Sequence, residues 1–202
     1  MRSDPVHLDA QARGVAPAAD ASGEARYTHI AIVLHWLIAL CLFAQIGLGW
    51  YLDEIPRGTP DRSWFVNLHK STGLTLGLLI LFRLYWRLRH TPPPYPASMP
   101  RWQRIAAHLS HWLLYVCMIV MPLSGYIASN FSKWGVKLFN VVALPPWGSD
   151  DRSIYAFFNG MHVITSYVLV ALIIAHVLGA LSHALSRDGL LRRIGLGSER
   201  SF

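Results

Sequence analysis

Four stretches of this 202-residue chain, at 30–51, 68–88, 106–129 and 155–185, are each long and apolar enough to cross a bilayer. A spanning helix needs about 20 mainly apolar residues. All eleven acidic residues fall outside these stretches, as lipid requires, because an unpaired charge inside the hydrocarbon costs several kcal/mol. Only 14% of the residues are charged and 53% are hydrophobic, against about 25% charged in an average soluble domain. A net charge of +7 therefore does not point to nucleic acid. Cys41 and Cys117 lie inside apolar runs and form no CxxC motif, so they say nothing about redox compartment. The expectation is an all-α membrane protein, a bundle of four transmembrane helices with lipid as its surroundings.

The organisation follows from the segments between the spans. Residues 1–28 are rich in Ala, Asp and Gly and lack the apolar core of a signal peptide; they read as a flexible cytoplasmic tail. Residues 29–186 form the four-helix transmembrane domain, and 187–202 a basic cytoplasmic C-terminal tail. The connector 91–100 holds five prolines and reads as an extended link. In 131–146, Lys133 and Lys137 sit four apart among Trp134, Val136, Leu138 and Phe139, the pattern of a short interfacial helix. There is no internal repeat. Eleven Lys and Arg fall on the side that carries both termini and six on the other. By the positive-inside bias both termini are cytoplasmic.

Histidine is rare in spanning helices and marks function there. His35 stands near the cytoplasmic start of the first helix and His69 near the outer start of the second. His162 and His176 lie 14 residues apart on the fourth, nearly four turns, so both project from one face about 21 Å apart. One is level with His69 and the other with His35. The arrangement suits two haems stacked across the membrane, ligated by His69 with His162 on the outer side and by His35 with His176 on the inner. Iron with two imidazoles favours electron transfer. Gly73, Gly77, Gly179 and Ala180 would leave room for the macrocycles. A zinc site fits poorly, because the four histidines do not converge on one point.

Other residues extend this reading. Arg83 follows His69 by 14 positions and so faces the bundle at the inner haem, where a propionate is its partner; the alternative is snorkelling to headgroups. His183, seven residues beyond His176, returns to the same face nearer the cytoplasm and is a candidate to hydrogen-bond a quinone or a propionate, or is a solvated interfacial residue. His111 is a second quinone candidate; with His108 it also reads as a packing residue or propionate partner. Lys70, Lys133 and Lys137 sit on a basic outer rim that would steer a small anion inward, or are ordinary surface charge.

At these residues the sequence resembles the bacterial cytochrome b561 family. The matching stretches are AIVLHWLIAL around His35, LHKSTG around His69, FRLYWRLRHTPPPYP after the second span, MPRWQRIAAHLSHWLLY into the third, and HVLGALSHALSRDGLLRR from His176 onward. The resemblance covers residues 27–196 and leaves the long N-terminal tail without a counterpart. It implies a multi-pass protein of the bacterial inner membrane with two haems b on the same four histidines. It also implies electron exchange between a periplasmic donor, superoxide in characterised examples, and ubiquinone. Cytochromes of similar architecture also serve as relay and anchor subunits for a partner redox enzyme, which is the alternative function. A proton- or ion-coupled transporter is disfavoured by the lack of membrane carboxylates and of broken-helix repeats.

Overall fold

A computed structural model describes residues 18–19, 25–96 and 99–185. The expected tails, 1–28 and 187–202, lie for the most part outside the described residues. Within the first of them β1 (Ala18–Ala19) pairs antiparallel with β2 (Ala25–Arg26). Four long helices follow: α1 (His29–Glu54), α2 (Pro60–Arg89), α3 (Arg101–Asn130) and α4 (Arg152–Leu185). Each is long and apolar enough to cross a membrane, and the protein is a four-helix membrane bundle.

Three of the four helices begin at a side-chain cap, and α3 begins after Pro100 without one. The Thr28 hydroxyl accepts from the Ala31 N–H at 3.3 Å, Thr59 does the same for Arg62 at 3.3 Å, and Asp151 accepts from Ser153 and Ile154 at 2.8 and 3.0 Å. Pro60 occupies the first turn of α2, where its missing N–H removes no bond. Arg62 closes the tight connection from α1 by donating to the carbonyls of Leu52 and Ile55. Helix α2 therefore starts eight residues before the apolar stretch at 68–88, because capped polar turns continue the helix past the hydrocarbon.

Chain neighbours pack side by side, α1 on α2, α2 on α3 and, most extensively, α3 on α4. Ile38, Leu76, Ile80 and Tyr115 form one buried cluster and Leu114, Cys117 and Leu169 a second. Leu40, Leu78 and Ile164 stay exposed on the outside, the inverse of a soluble bundle and the surface lipid wants. Buried polar groups are small and bonded to their own helix: Ser124 donates to Val120 at 2.7 Å and Ser129 to Gly125 at 2.8 Å. Helix α4 packs extensively on α3 but not on α1 or α2.

The segment after α3 is not a short helix but a hairpin, β3 (Val136–Leu138) paired antiparallel with β4 (Val142–Leu144). The helical reading of Lys133 and Lys137 overlooked the backbone. Gly135 sits at φ +55°, where a Cβ would come within 2.7 Å of the Leu144 carbonyl, so only glycine fits. Phe139 and Asn140 both take positive φ, 46° and 59°, the combination a tight hairpin turn uses. The hairpin is bolted to α2. The Phe139 N–H donates to Ser71 Oγ at 2.7 Å, Asn67 to the Asn140 side chain at 3.1 Å, Asn140 to the Trp64 carbonyl at 3.2 Å, and Lys70 Nζ to the Gly135 carbonyl at 2.8 Å. One end of the bundle thus carries the hairpin and the other the chain termini.

Candidate functional site

Two pairs of imidazoles face each other between α4 and the two helices on which it does not pack extensively. At the hairpin end the rings of His69 on α2 and His162 on α4 have centres 6.1 Å apart and planes at 80°. At the terminal end His35 on α1 and His176 on α4 are 6.4 Å apart at 68°. Two imidazoles on opposite sides of one metal, with metal–nitrogen bonds of about 2 Å, have ring centres about 6 Å apart. Both pairs are therefore spaced to hold an iron between them.

The surroundings of each ring bear on that fit. His162 Nδ1 lies 2.9 Å from the Met121 carbonyl. The carbonyl can only accept, so Nδ1 carries the proton and Nε2 keeps a free lone pair for a ligand role. His69 Nδ1 is buried with no hydrogen-bond partner. An orphaned ring nitrogen is what a site built around an absent group leaves behind. At the terminal end Arg83 Nη1 donates to the Ala31 carbonyl at 2.8 Å, and its Nη2 stands 3.4 Å from His35 Nδ1. A guanidinium only donates, so this contact puts the ring proton of His35 on Nε2. Iron on Nε2 requires the contact to give way and frees that guanidinium edge for another acceptor.

His111 joins this end. Its ring centre is 5.3 Å from that of His176 and its Nδ1 is buried without a partner. His183 sits two turns further along α4, half-buried in the last turn of the helix, and does not join that group. His108 is away from it and accepts from Trp112 Nε1 at 3.1 Å. Of the basic residues at the hairpin end, Lys133 and Lys137 are exposed, with the Lys133 ammonium 5.8 Å from the Trp134 ring. Lys70 is half-buried and engaged with Gly135.

Glycines matter at other places than the expected ones. A Cβ on Gly73 would meet Gln45 at 3.0 Å, and one on Gly77 would meet Pro122 at 3.1 Å, so these two admit neighbouring side chains, while Gly179 faces open space. The glycines that admit the histidines are Gly125, where a Cβ would stand 3.0 Å from His162 Nδ1, and Gly49, where it would stand 3.4 Å from the His69 ring. Sequence reasoning missed both although each stands 14 residues after a histidine of its own helix, Gly49 after His35 and Gly125 after His111, because the rings they admit belong to other helices. It also missed Gln45. This amide donates to the His69 carbonyl at 2.7 Å and accepts from Thr72 at 2.6 Å. Gln45, Thr72 and Thr75 are the polar residues lining a mainly apolar, partly open cavity of about 400 Å³ between α1 and α2, which Phe139 of the hairpin also lines. A lone glutamine within a span was the signal available.

The family described as prokaryotic cytochrome b561 matches residues 26–197. Cytochrome b561 homolog 2 of Escherichia coli is 29% identical over 181 residues, covering 87% of this chain and 94% of the relative. Cytochrome b561 homolog 1 of the same organism is 28% identical over 176 residues, covering 84% and 96%. A protein of Yersinia pestis named as a probable superoxide oxidase, CybB, is 27% identical over 173 residues, covering 83% and 94%.

Proposed function

This chain belongs to the prokaryotic cytochrome b561 family of multi-pass bacterial membrane proteins, whose members carry haem b and transfer electrons, and we propose that it passes electrons from superoxide to ubiquinone through two haems b. The observation that carries the reading is the pair of facing imidazole couples, His69 with His162 and His35 with His176, at 6.1 and 6.4 Å. The likeness to a protein named as a probable superoxide oxidase supports the choice of donor. His69 with His162 and His35 with His176 would hold the haem irons, which would supply one-electron transfer.

The chain's own residues provide the rest. The Lys and Arg bias puts the terminal end in the cytoplasm and the hairpin end in the periplasm. Lys133 and Lys137 present positive charge at the hairpin end, where an anionic donor arrives. Two superoxide ions give up one electron each and leave as two O₂. Ubiquinone takes up those two electrons and two protons to become ubiquinol. His111, beside His176, and His183, two turns further along α4, are the groups proposed to hydrogen-bond a quinone, and Arg83 is the cation proposed for a propionate. The Gln45–Thr72 cavity is a second place where a quinone ring fits.

The test is turnover by the purified protein alone. It should carry two haems b per chain by pyridine haemochrome assay, be reduced by superoxide, and be reoxidised by a soluble ubiquinone. One haem per chain would end the two-haem reading. Haems that superoxide leaves oxidised, but that a co-purified redox enzyme reduces, would make the protein a relay subunit instead.

A further inference from the structure

At the terminal end a small pocket of about 30 Å³ lies between the start of α1, the end of α2 and the middle of α3. Thr28, Ala31, Arg83, Arg87, His90 and Tyr115 are among the residues that line it. Arg83 and Arg87 are one turn apart on α2, and among the described residues no carboxylate lines the pocket. Arg83 spends two of its donors on Ala31 and His35. The Arg87 guanidinium lies 5.8 Å from the Tyr115 ring centre and makes no hydrogen bond among the described residues.

The second observation is Tyr115 itself. It is only 5% exposed, yet its hydroxyl has no hydrogen-bond partner. Leaving a buried hydroxyl unpaired costs about 1–3 kcal/mol, so an orphan that lines a doubly cationic pocket marks a missing acceptor. Aromatic groups of the kind that anchor helices at the headgroup level surround the mouth. Trp86 stacks on His90 at 3.9 Å and donates to Thr28 at 2.9 Å. Burial and the neighbouring Tyr27 push the Tyr95 phenol above its ordinary range against the opposing pull of Arg87. Basic pockets between transmembrane helices are where anionic headgroups bind.

We propose that this pocket holds the phosphate of an anionic phospholipid, with the Arg87 guanidinium and the Tyr115 hydroxyl donating to its oxygens and Arg83 adding charge from the bundle side. The site goes beyond the electron-transfer reading and does not depend on which donor or quinone the protein uses.

The experiment is native mass spectrometry of the haem-loaded protein in detergent, titrated with phosphatidylglycerol or with phosphatidylcholine of the same acyl chains. The wild type should retain one phosphatidylglycerol in preference to phosphatidylcholine. Arg87→Gln should lower that preference about fivefold, the worth of one arginine beside an anionic headgroup, and Arg87→Lys should recover part of it. Tyr115→Phe should weaken retention with haem content and helicity unchanged. Arg89→Gln, which removes an exposed arginine outside the pocket, should change nothing. Equal retention of the two lipids by the wild type would overturn the proposal, as would equal losses in Arg89→Gln and Arg87→Gln. Displacement of the lipid by millimolar inorganic phosphate would assign the pocket to a free anion. An unchanged lipid preference in Arg87→Gln, with a shifted haem potential, would assign it to a haem carboxylate; either result overturns the lipid site.

Discussion

Nδ1 of His162 lies 2.9 Å from the Met121 carbonyl, while the same ring rests against Gly125 with only 3.0 Å to spare for a Cβ. One turn of α3 therefore both orients the imidazole and leaves the space in which it sits. Real side chains essentially never accept contacts much shorter than this, and Gly125 belongs to a packed helix that cannot step back. Gly125→Ala should push His162 out of line with His69. The expected outcome is loss of about half the haem by pyridine haemochrome assay, with helicity by circular dichroism unchanged. Full haem content with an unaltered low-spin spectrum would show that the ring tolerates the methyl.

The four ligands should separate into two independent pairs. His69→Ala or His162→Ala should remove or convert the haem at the hairpin end alone, and His35→Ala or His176→Ala the one at the terminal end. Potentiometric titration of each variant should lose one of two waves. A single variant that abolishes both waves without unfolding would show that the sites are not separable.

Charge at the hairpin end is testable by salt. At 0.1 M ionic strength the Debye length is about 10 Å, so reduction by superoxide should slow as salt rises. Lys133→Glu and Lys137→Glu should lower the second-order rate and flatten its salt dependence. Lys70→Glu is a less clean probe, because its ammonium holds the Gly135 carbonyl and the change would also loosen the hairpin. A rate independent of salt would leave these lysines no steering role.

The hairpin depends on Ser71, which is fully buried and accepts from the Phe139 N–H while donating to the Asn67 carbonyl at 2.6 Å. Ser71→Ala leaves the Phe139 N–H without its acceptor, a loss of about 1–3 kcal/mol. The expected result is earlier thermal unfolding and faster limited proteolysis within 131–150, with both haems retained.

The acceptor side has two separable tests. His183→Ala should keep both haems and their reduction by superoxide, yet slow reoxidation by ubiquinone in stopped-flow mixing; reoxidation at the wild-type rate would move the acceptor to the Gln45–Thr72 cavity. Arg83→Ala removes a positive charge beside His35, which disfavours the electron-rich ferrous state. It should lower the midpoint potential of the haem at the terminal end and leave the other unchanged.

Local chemistry made much of this legible in advance. The exclusion of every carboxylate from four apolar stretches determined that the chain spans a membrane four times, because lipid offers a charge no partner. The interval between His162 and His176 determined that both share one face of α4, because helix geometry is periodic. Tertiary structure decided what periodicity does not encode. Gly125 and Gly49 stand in helical register with His111 and His35 of their own helices, but the rings they admit come from other helices, and only the packing shows which. Gln45 reaches the His69 backbone only because α1 and α2 pack there. The segment with Lys133 and Lys137 has a helical spacing of side chains, but left-handed backbone at Gly135, Phe139 and Asn140 and the anchor at Ser71 make it a hairpin. The Tyr115 hydroxyl becomes an unmet donor only where α3 buries it against Arg87.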